Sequence, residues 1–522
     1  MCGIAGLWGT IDSETVTAMM ELMRHRGPDD KGVSICKSGV IGHRRLSIMD
    51  LGGGHQPIYN ESGSASIVAN GEIYNYPGLK EKLASRHKFQ TGSDTEAILH
   101  LFEEESEKFA NQLDGMYAFA ISDKSGLFLA RDPIGIKPLY YAKRRLEDSD
   151  EFYFASELKA LTDIDAEVRE FPPGTLYHTS TGFMPYFDMP DNSPSRATID
   201  EACSLIRMTI EEAVVKRLMS DAPLGAFLSG GLDSSIIAAI TARHVNELHT
   251  FSVGIEGSHD LQAARTVARH IGSIHHEYIF TAKEVLEKLQ NIIYHLESYD
   301  QDLVRSAIPC YFCSRLASDY VKVILTGEGA DELFAGYTYY KSIDDSASLH
   351  SELRRSVSAL HNINLQRVDR MTMAHGIEGR VPFLDLEVIE LAQKIAPNLK
   401  LYTTASGRRI EKWILRKAFE DMLPSEIVWR EKEQFDEGSG TVDMLDSLIE
   451  STAETTELRK YINSYSNDRL RSLEEAYYHK LLIDSYIKPK AIIANTARWH
   501  ERPTQLEHHD QGLDKEGSSS DQ

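Results

Sequence analysis

The sequence predicts a multidomain α/β protein in which sheet layers covered by helices precede a parallel-sheet unit with a helical C-terminal part. Three observations carry this. The 522 residues amount to about three to four typical domains of ~150 residues. The first third sets short apolar runs between Gly, Asn and Asp, the pattern of strands and turns. Beyond it, longer helical periods alternate with short apolar strands, as crossover helices on a parallel sheet do.

Taken in order, CGIAGLWG, SGVIGHRRLSIMDL, ASIVANGEIYN, GMYAFAISD, GLFLARDP and EFYFASEL read as strands. Between them, Asp12–Arg26 and Ser93–Phe109 space their apolar residues as helices do, with Ala97, Leu99, Leu101 and Phe102 as an example. The stretch MPDNSPSRATID is polar and aperiodic, so residues 189–200 are predicted to link a domain at 1–188 to one at 201–503. In the second domain helices are expected at Ala202–Leu218, Ser234–Val245 and Leu261–Ile271, with strands in LGAFLS, HTFSVGI, HHEYIF and VKVILTG. From about Leu353 to Glu501 the pattern is mostly helical, and residues 504–522 are too polar to bury anything and are expected to be disordered.

Composition excludes several classes of function. With 56 basic and 79 acidic side chains the net charge is −23, a field that repels nucleic acid and anionic membranes. Neither is expected as a partner. No apolar run reaches the roughly 18 residues of a membrane span. Five cysteines in so long a chain make no disulfide framework, which points to a reducing, cytoplasmic compartment. Cys310 and Cys313 form a CxxC without a second pair, so two buried helix cysteines are expected rather than zinc ligands. His275 and His276 are expected to mark a strand, on which neighbours point to opposite faces.

Two segments carry chemistry. Removal of the initiator Met would leave Cys2 with both a thiol and a free α-amine, and an amine with a pKa near 8 can take the proton of a thiol near 8.5. Farther on, LGAFLSGGLDSSIIAAI runs from a strand through a glycine pair into a helix, a loop whose N–H groups and helix dipole suit an anion. It lacks GxxxxGK[ST], so γ-phosphoryl transfer of the Walker type is not indicated.

Together with MCGIAG, the ordered set LMRHRGPD, GHRRLSIMDL, NGEIYN, TGSDTE, LDGMYAFA, RDPIGIKPLY and FASELKAL resembles the glutamine amidotransferase domain of the N-terminal-nucleophile class, whose fold is a four-layer αββα sandwich. SGGLDSS resembles the pyrophosphate loop of ATP pyrophosphatases, supported by FSVGI, LTGEGADELFAGY, GIEGRVPFLD and WREKEQF. Joined in one chain, the two halves resemble the glutamine-hydrolysing asparagine synthetase family over all but the tail.

That resemblance implies a role for each matched residue. Cys2 is the nucleophile, with its own amine as base. The Asn70 side-chain amide and the Gly71 N–H form the oxyanion hole. Arg45 grips the glutamine α-carboxylate, and Asp94, assisted by Glu72, holds its α-amine. ATP lies on Leu228, Ser229, Gly230, Gly231, Asp233 and Ser234, with adenine near Val253 and further contacts from Thr326 and Gly327. Asp233 and Asp331 hold Mg²⁺, Lys432 stabilises departing pyrophosphate, and Glu328 takes a proton from ammonia as it attacks β-aspartyl-AMP. Two separated sites with a reactive, protonatable intermediate imply that ammonia passes between them inside the protein, and a homodimer is usual for the family. Where the family carries a Thr and an Arg-Ala-Ser pattern, this chain reads YDQDLVRSAIPCYF, with Arg305 and Ser306 recognisable but Asp302 and Leu303 altered. A different carboxylate acceptor therefore stays open beside aspartate. A non-catalytic sensor of nucleotide or glutamine is the other alternative, although it would need few of Cys2, Asn70, Asp94, Asp233, Asp331 and Lys432.

Overall fold

The computed structural model describes residues 2–146, 150–194, 197–431, 438–440, 445 and 455–498. The expected tail at 504–522 and Lys432 lie outside them.

The first unit is two six-stranded sheets, antiparallel in their strand pairs, face to face. One runs β10-β8-β9-β1-β3-β2 and the other β12-β11-β7-β6-β5-β4. In chain order these are β1 (Gly3–Trp8), β2 (Asp30–Cys36), β3 (Gly39–Arg45), β4 (Ile58–Tyr59), β5 (Ser66–Ile73), β6 (Gly115–Ser122), β7 (Leu127–Arg131), β8 (Tyr140–Arg145), β9 (Asp150–Ala155), β10 (Val168–Glu170), β11 (Thr175–His178) and β12 (Gly182–Pro185). Ile4, Ile41, Val68, Ala118, Leu129 and Phe154 fill the space between the sheets, as alternation along facing strands requires. Helix α1 (Ser13–Leu22) covers the first sheet, and α2 (Tyr76–Leu83) and α3 (Asp94–Glu105) lie on the second-sheet side, with α3 against β5. The order is αββα, as the resemblance implies. Asp12 caps α1 by accepting from Glu14 and Thr15 N–H, which fixes where the helix starts.

The second unit is built on a parallel sheet, β15-β14-β13-β16-β17, comprising β13 (Leu224–Phe227), β14 (His249–Gly254), β15 (Ile274–Ile279), β16 (Val323–Leu325) and β17 (Glu378–Arg380). Its helices are α4 (Ile199–Lys216), α5 (Leu232–His244), α6 (His259–Ile271), α7 (Ala282–Leu296), α8 (Gln301–Ser318), α9 (Ala330–Phe334), α10 (Ser346–Ser358) and α11 (Asn364–Met373), followed by a mostly helical stretch. A reciprocal Thr198–Glu201 capping box opens α4. Strand order reverses direction at β13, where chain connections leave to both sides, and ligands bind at such switch points. No described helix is long and apolar enough to cross a membrane. Cys310 and Cys313 are buried free thiols on α8. His276 stacks on His249, while His275 turns to Thr250 and Ser252.

The two units meet across buried, paired charge. Arg26, fully buried, donates to Glu157 at 2.8 Å and to Asp369 of α11 at 2.6 and 3.1 Å. Beside it, Arg370 holds Glu297 at 2.8 Å, and Lys159 bridges Glu157 at 2.6 Å. Each ion has partners of opposite sign, the condition under which burial of charge is tolerated.

Candidate functional site

The structure brings the first group of predicted residues together at one end of the sandwich. Cys2 precedes β1, Arg45 ends β3, Asn70, Gly71 and Glu72 sit in β5, and Asp94 opens α3. Cys2 is buried, which pushes its thiol pKa up. Its backbone is gripped from two sides: its N–H donates to Asn70 Oδ1 at 3.0 Å, and Arg26 Nε donates to its carbonyl at 3.0 Å. Because Asn70 Oδ1 is engaged in this way, the amide nitrogen faces the other way. Asn70 Nδ2 is buried with no hydrogen-bond partner among the described residues, which leaves a donor for a ligand on a residue that bonds the Cys2 backbone. Gly71 has to be glycine, since a Cβ there would lie 2.0 Å from the Met116 carbonyl of β6.

Two carboxyl groups face the same end. Burial pushes Asp94 up to about 6, despite N–H donation from Ile73 at 2.6 Å and Thr95 at 2.9 Å. Burial, with the neighbouring Asp94 and Glu378 carboxylates, drives Glu72 well above the usual range. Glu72 Oε2 has no hydrogen-bond partner among the described residues. An incoming cation such as an ammonium would favour the ionised form of both acids and offset the cost of burying them. Arg45 donates through Nη2 to the Met49 and Asp50 carbonyls at 3.2 and 2.6 Å. Asp50 in turn accepts from Gly53 and Gly92 N–H, so one loop holds the guanidinium and the approach to α3.

A second site lies at the C-terminal ends of β13, β14 and β16. It is a cavity of about 200 Å³ lined by Leu228, Ser229, Gly231, Asp233 and Ser234 of the loop and helix after β13. Val253, Thr326, Gly327, Glu328 and Asp331 complete the set predicted from the sequence. Gly230 is the exception, because it does not line the cavity. Its φ is +75°, and a Cβ would sit 2.4 Å from that of Ala263 on α6. Its part is to let the loop turn against that helix. Gly231 caps α5 without a side-chain bond, leaving the first N–H groups of the helix to the cavity.

Sequence reading missed the cation at the centre. Lys412 Nζ lies 2.5 Å from Asp233 Oδ2 and 2.5 Å from Asp331 Oδ1. Asp233 Oδ1 is buried and without a hydrogen-bond partner among the described residues. Two carboxylates converging on one positive group, with an oxygen left over, fit a hard divalent cation. Nothing in RRIEKWILRK distinguishes Lys412 from its charged neighbours. Arg367 was missed too; from α11 it pairs with Glu328. In the altered segment, Asp302, Leu303 and Ser306 line the cavity, whereas Arg305 is turned onto Glu474 through bonds of 2.8 and 2.5 Å.

Arg380 touches both sites. Arg380 of β17 accepts the Thr326 N–H with its carbonyl at 3.0 Å, and its guanidinium lies 3.7 Å from Glu72. It is held by Glu378 at 2.7 Å and by the carbonyls of Arg217 and Met219 at 2.6 and 2.7 Å.

Comparison with known proteins divides the chain in the same way. A glutamine amidotransferase domain family model matches residues 1–181, and an asparagine synthase model matches 205–348 and 341–507. Asparagine synthetase [glutamine-hydrolyzing] 2 of Oryza sativa subsp. japonica is 40% identical over 516 residues, covering 94% of this chain and 86% of its own. Asparagine synthetase [glutamine-hydrolyzing] 2 of Arabidopsis thaliana is 39% identical, covering 94% and 88%. A probable asparagine synthetase [glutamine-hydrolyzing] of Dictyostelium discoideum is 37% identical, covering 96% of both chains.

Proposed function

Because the chain belongs to the glutamine-hydrolysing asparagine synthetase family, we propose that it converts L-aspartate to L-asparagine with ATP and glutamine-derived ammonia. The observation that supports this reading is Arg380, whose carbonyl accepts the N–H of Thr326, a residue lining the second cavity, while its guanidinium lies 3.7 Å from Glu72 of the first site.

In the glutaminase half, residues 1–188, the Cys2 α-amine freed by Met removal takes the thiol proton, and the thiolate attacks the side-chain amide carbonyl of glutamine. Asn70 Nδ2 and the Gly71 N–H receive the oxyanion, a donor role worth about 3–4 kcal/mol in the transition state. Arg45 holds the α-carboxylate while Asp94 and Glu72 hold the α-ammonium. The amine returns its proton to the leaving nitrogen, ammonia departs, and water hydrolyses the thioester to glutamate. Ammonia then moves past Arg380 rather than through solvent, where it would be protonated.

In the synthetase half, residues 201–503, the loop from Leu228 to Ser234 cradles the phosphates of ATP, with adenine near Val253. Asp233 and Asp331 would hold Mg²⁺, which neutralises charge on the β and γ phosphates. The aspartate β-carboxylate attacks the α-phosphorus and pyrophosphate leaves, aided by Lys412 and by Lys432. Ammonia attacks the β-aspartyl-AMP carbonyl, Glu328, positioned by Arg367, accepts a proton, and AMP departs. The five free cysteines suit a reducing, cytoplasmic setting, and a homodimer is the expected assembly.

The test supplies Mg-ATP, aspartate and amide-¹⁵N-glutamine and follows AMP, pyrophosphate and labelled asparagine, with Cys2→Ala as control. Labelled asparagine and AMP should appear together, and the variant should work only with added ammonia. Glutamine hydrolysis without aspartate-dependent AMP would refute aspartate as acceptor and direct attention to Asp302 and Leu303.

A further inference from the structure

On the outer side of the glutaminase sandwich, away from both sites, Glu61, His87, His100 and Glu103 bring four potential ligand atoms within 4.8 Å of one another. Glu61 follows β4, His87 follows α2, and His100 and Glu103 share one face of α3, three residues apart. The cluster plays no part in the mechanism above.

Its spacing is informative. His100 Nδ1 to Glu103 Oε2 is 3.2 Å, His87 Nδ1 to Glu61 Oε1 is 3.4 Å, His87 Nδ1 to Glu103 Oε2 is 3.8 Å, and His100 Nδ1 to Glu61 Oε2 is 3.9 Å. Ligands at 2.0–2.2 Å from a tetrahedral zinc ion are separated from one another by roughly 3.3–3.6 Å.

The outer nitrogens are also accounted for. His87 Nε2 lies 3.1 Å from Glu104 Oε1, and His100 Nε2 lies 3.4 Å from Glu96 Oε1. A carboxylate there takes the Nε2–H and turns the Nδ1 lone pair inward, the arrangement that orients metal-binding histidines. Glu96 is itself fixed by the N–H groups of Gln90 and Thr91, and Glu103 by Asn60 Nδ2 at 2.6 Å. Two inward lone pairs facing two carboxylates repel unless a proton or a metal lies between them. Protons answer poorly, because the two rings stack with centroids 4.4 Å apart and two imidazolium ions so placed would repel.

We propose that Glu61, His87, His100 and Glu103 form a zinc site that ties the turn after β4 and the loop after α2 to helix α3. Two imidazoles and two carboxylates favour Zn²⁺ over Mg²⁺ or Ca²⁺, which prefer all-oxygen sets.

The test compares chelator-stripped, full-length wild type with His87→Gln/Glu103→Gln, titrating Zn²⁺ against a chromophoric chelator and recording the visible spectrum with Co²⁺. Wild type should take up one more ion per chain than the double variant and give the intense bands of four-coordinate cobalt. Zinc should raise the melting temperature of wild type alone. Glu104→Gln should keep the site but weaken zinc about tenfold or more, as loss of an outer partner does. Far-ultraviolet circular dichroism together with glutamine hydrolysis reports that the half carrying each variant is folded. Equal uptake by wild type and double variant would overturn the proposal and leave a protonated histidine pair. So would a wild-type cobalt spectrum limited to weak six-coordinate bands.

Discussion

Asn70→Ala separates the two chemistries most sharply. Its Nδ2 is a buried donor without a partner among the described residues, and its Oδ1 holds the Cys2 N–H at 3.0 Å. If that nitrogen serves the oxyanion as proposed, truncation removes a donor whose loss costs about 10²–10³ in kcat. It also strips the acceptor from a buried N–H, a further ~1–3 kcal/mol that falls on the placement of Cys2. Glutamine-dependent asparagine formation should therefore fall by at least about 10²-fold. The residue touches nothing in the nucleotide cavity, so synthesis with ammonium chloride at the same ATP and aspartate concentrations should stay near wild type. The assay is paired AMP release with each nitrogen source. An equal fall with both would refute the reasoning, because the defect would then lie in the fold or in the shared seam.

Three further outcomes follow from the geometry. Lys412→Met leaves Asp233 and Asp331 facing each other without their shared cation; loss of one partner of a buried pair costs about 3–5 kcal/mol, and thermal unfolding should show Mg²⁺ restoring more stability to the variant than to wild type. Asp94, held near 6 by burial, must be ionised to bind an ammonium, so the KM for glutamine should rise as pH falls through about 6 while the KM for ATP in the ammonia reaction does not follow it; a flat glutamine profile from pH 5 to 8 would count against that role. Gly230→Ala places a methyl 2.4 Å from Ala263 Cβ at a φ of +75°, so both ATP-dependent activities should drop together while glutamine hydrolysis survives; a fully active variant would show that the loop does not need this turn.

The fold class was legible because periodicity changes where architecture changes. The apolar run in ASIVANGEIYN becomes β5 of the second sheet, and the helical spacing of Ser93–Phe109 becomes α3, shortened at its C-terminal end to Glu105. Residues carried by contiguous motifs, such as Asn70–Glu72 and Ser229–Ser234, were legible as well, since a local turn or strand fixes their relative positions. What pairs across the chain was not. Lys412 reaches Asp233 over 179 residues, and Arg367 reaches Glu328 from a helix whose sequence shows only an amphipathic pattern. Gly230 was legible as part of its local motif, but the close approach of Ala263, a neighbour supplied by tertiary packing, was not.

The seam of paired charge also imposes an order in time. Cys2 and Arg26 are made first, but Asp369, which completes the clamp on Arg26, follows it by 343 residues. Arg380, which faces Glu72, comes later still. During synthesis the earlier half folds ahead of the later one, and at that stage its nucleophile is held by an arginine lacking one of its two carboxylates. The Cys2 backbone therefore acquires its final setting only when the later half has folded against it and Asp369 has closed on Arg26.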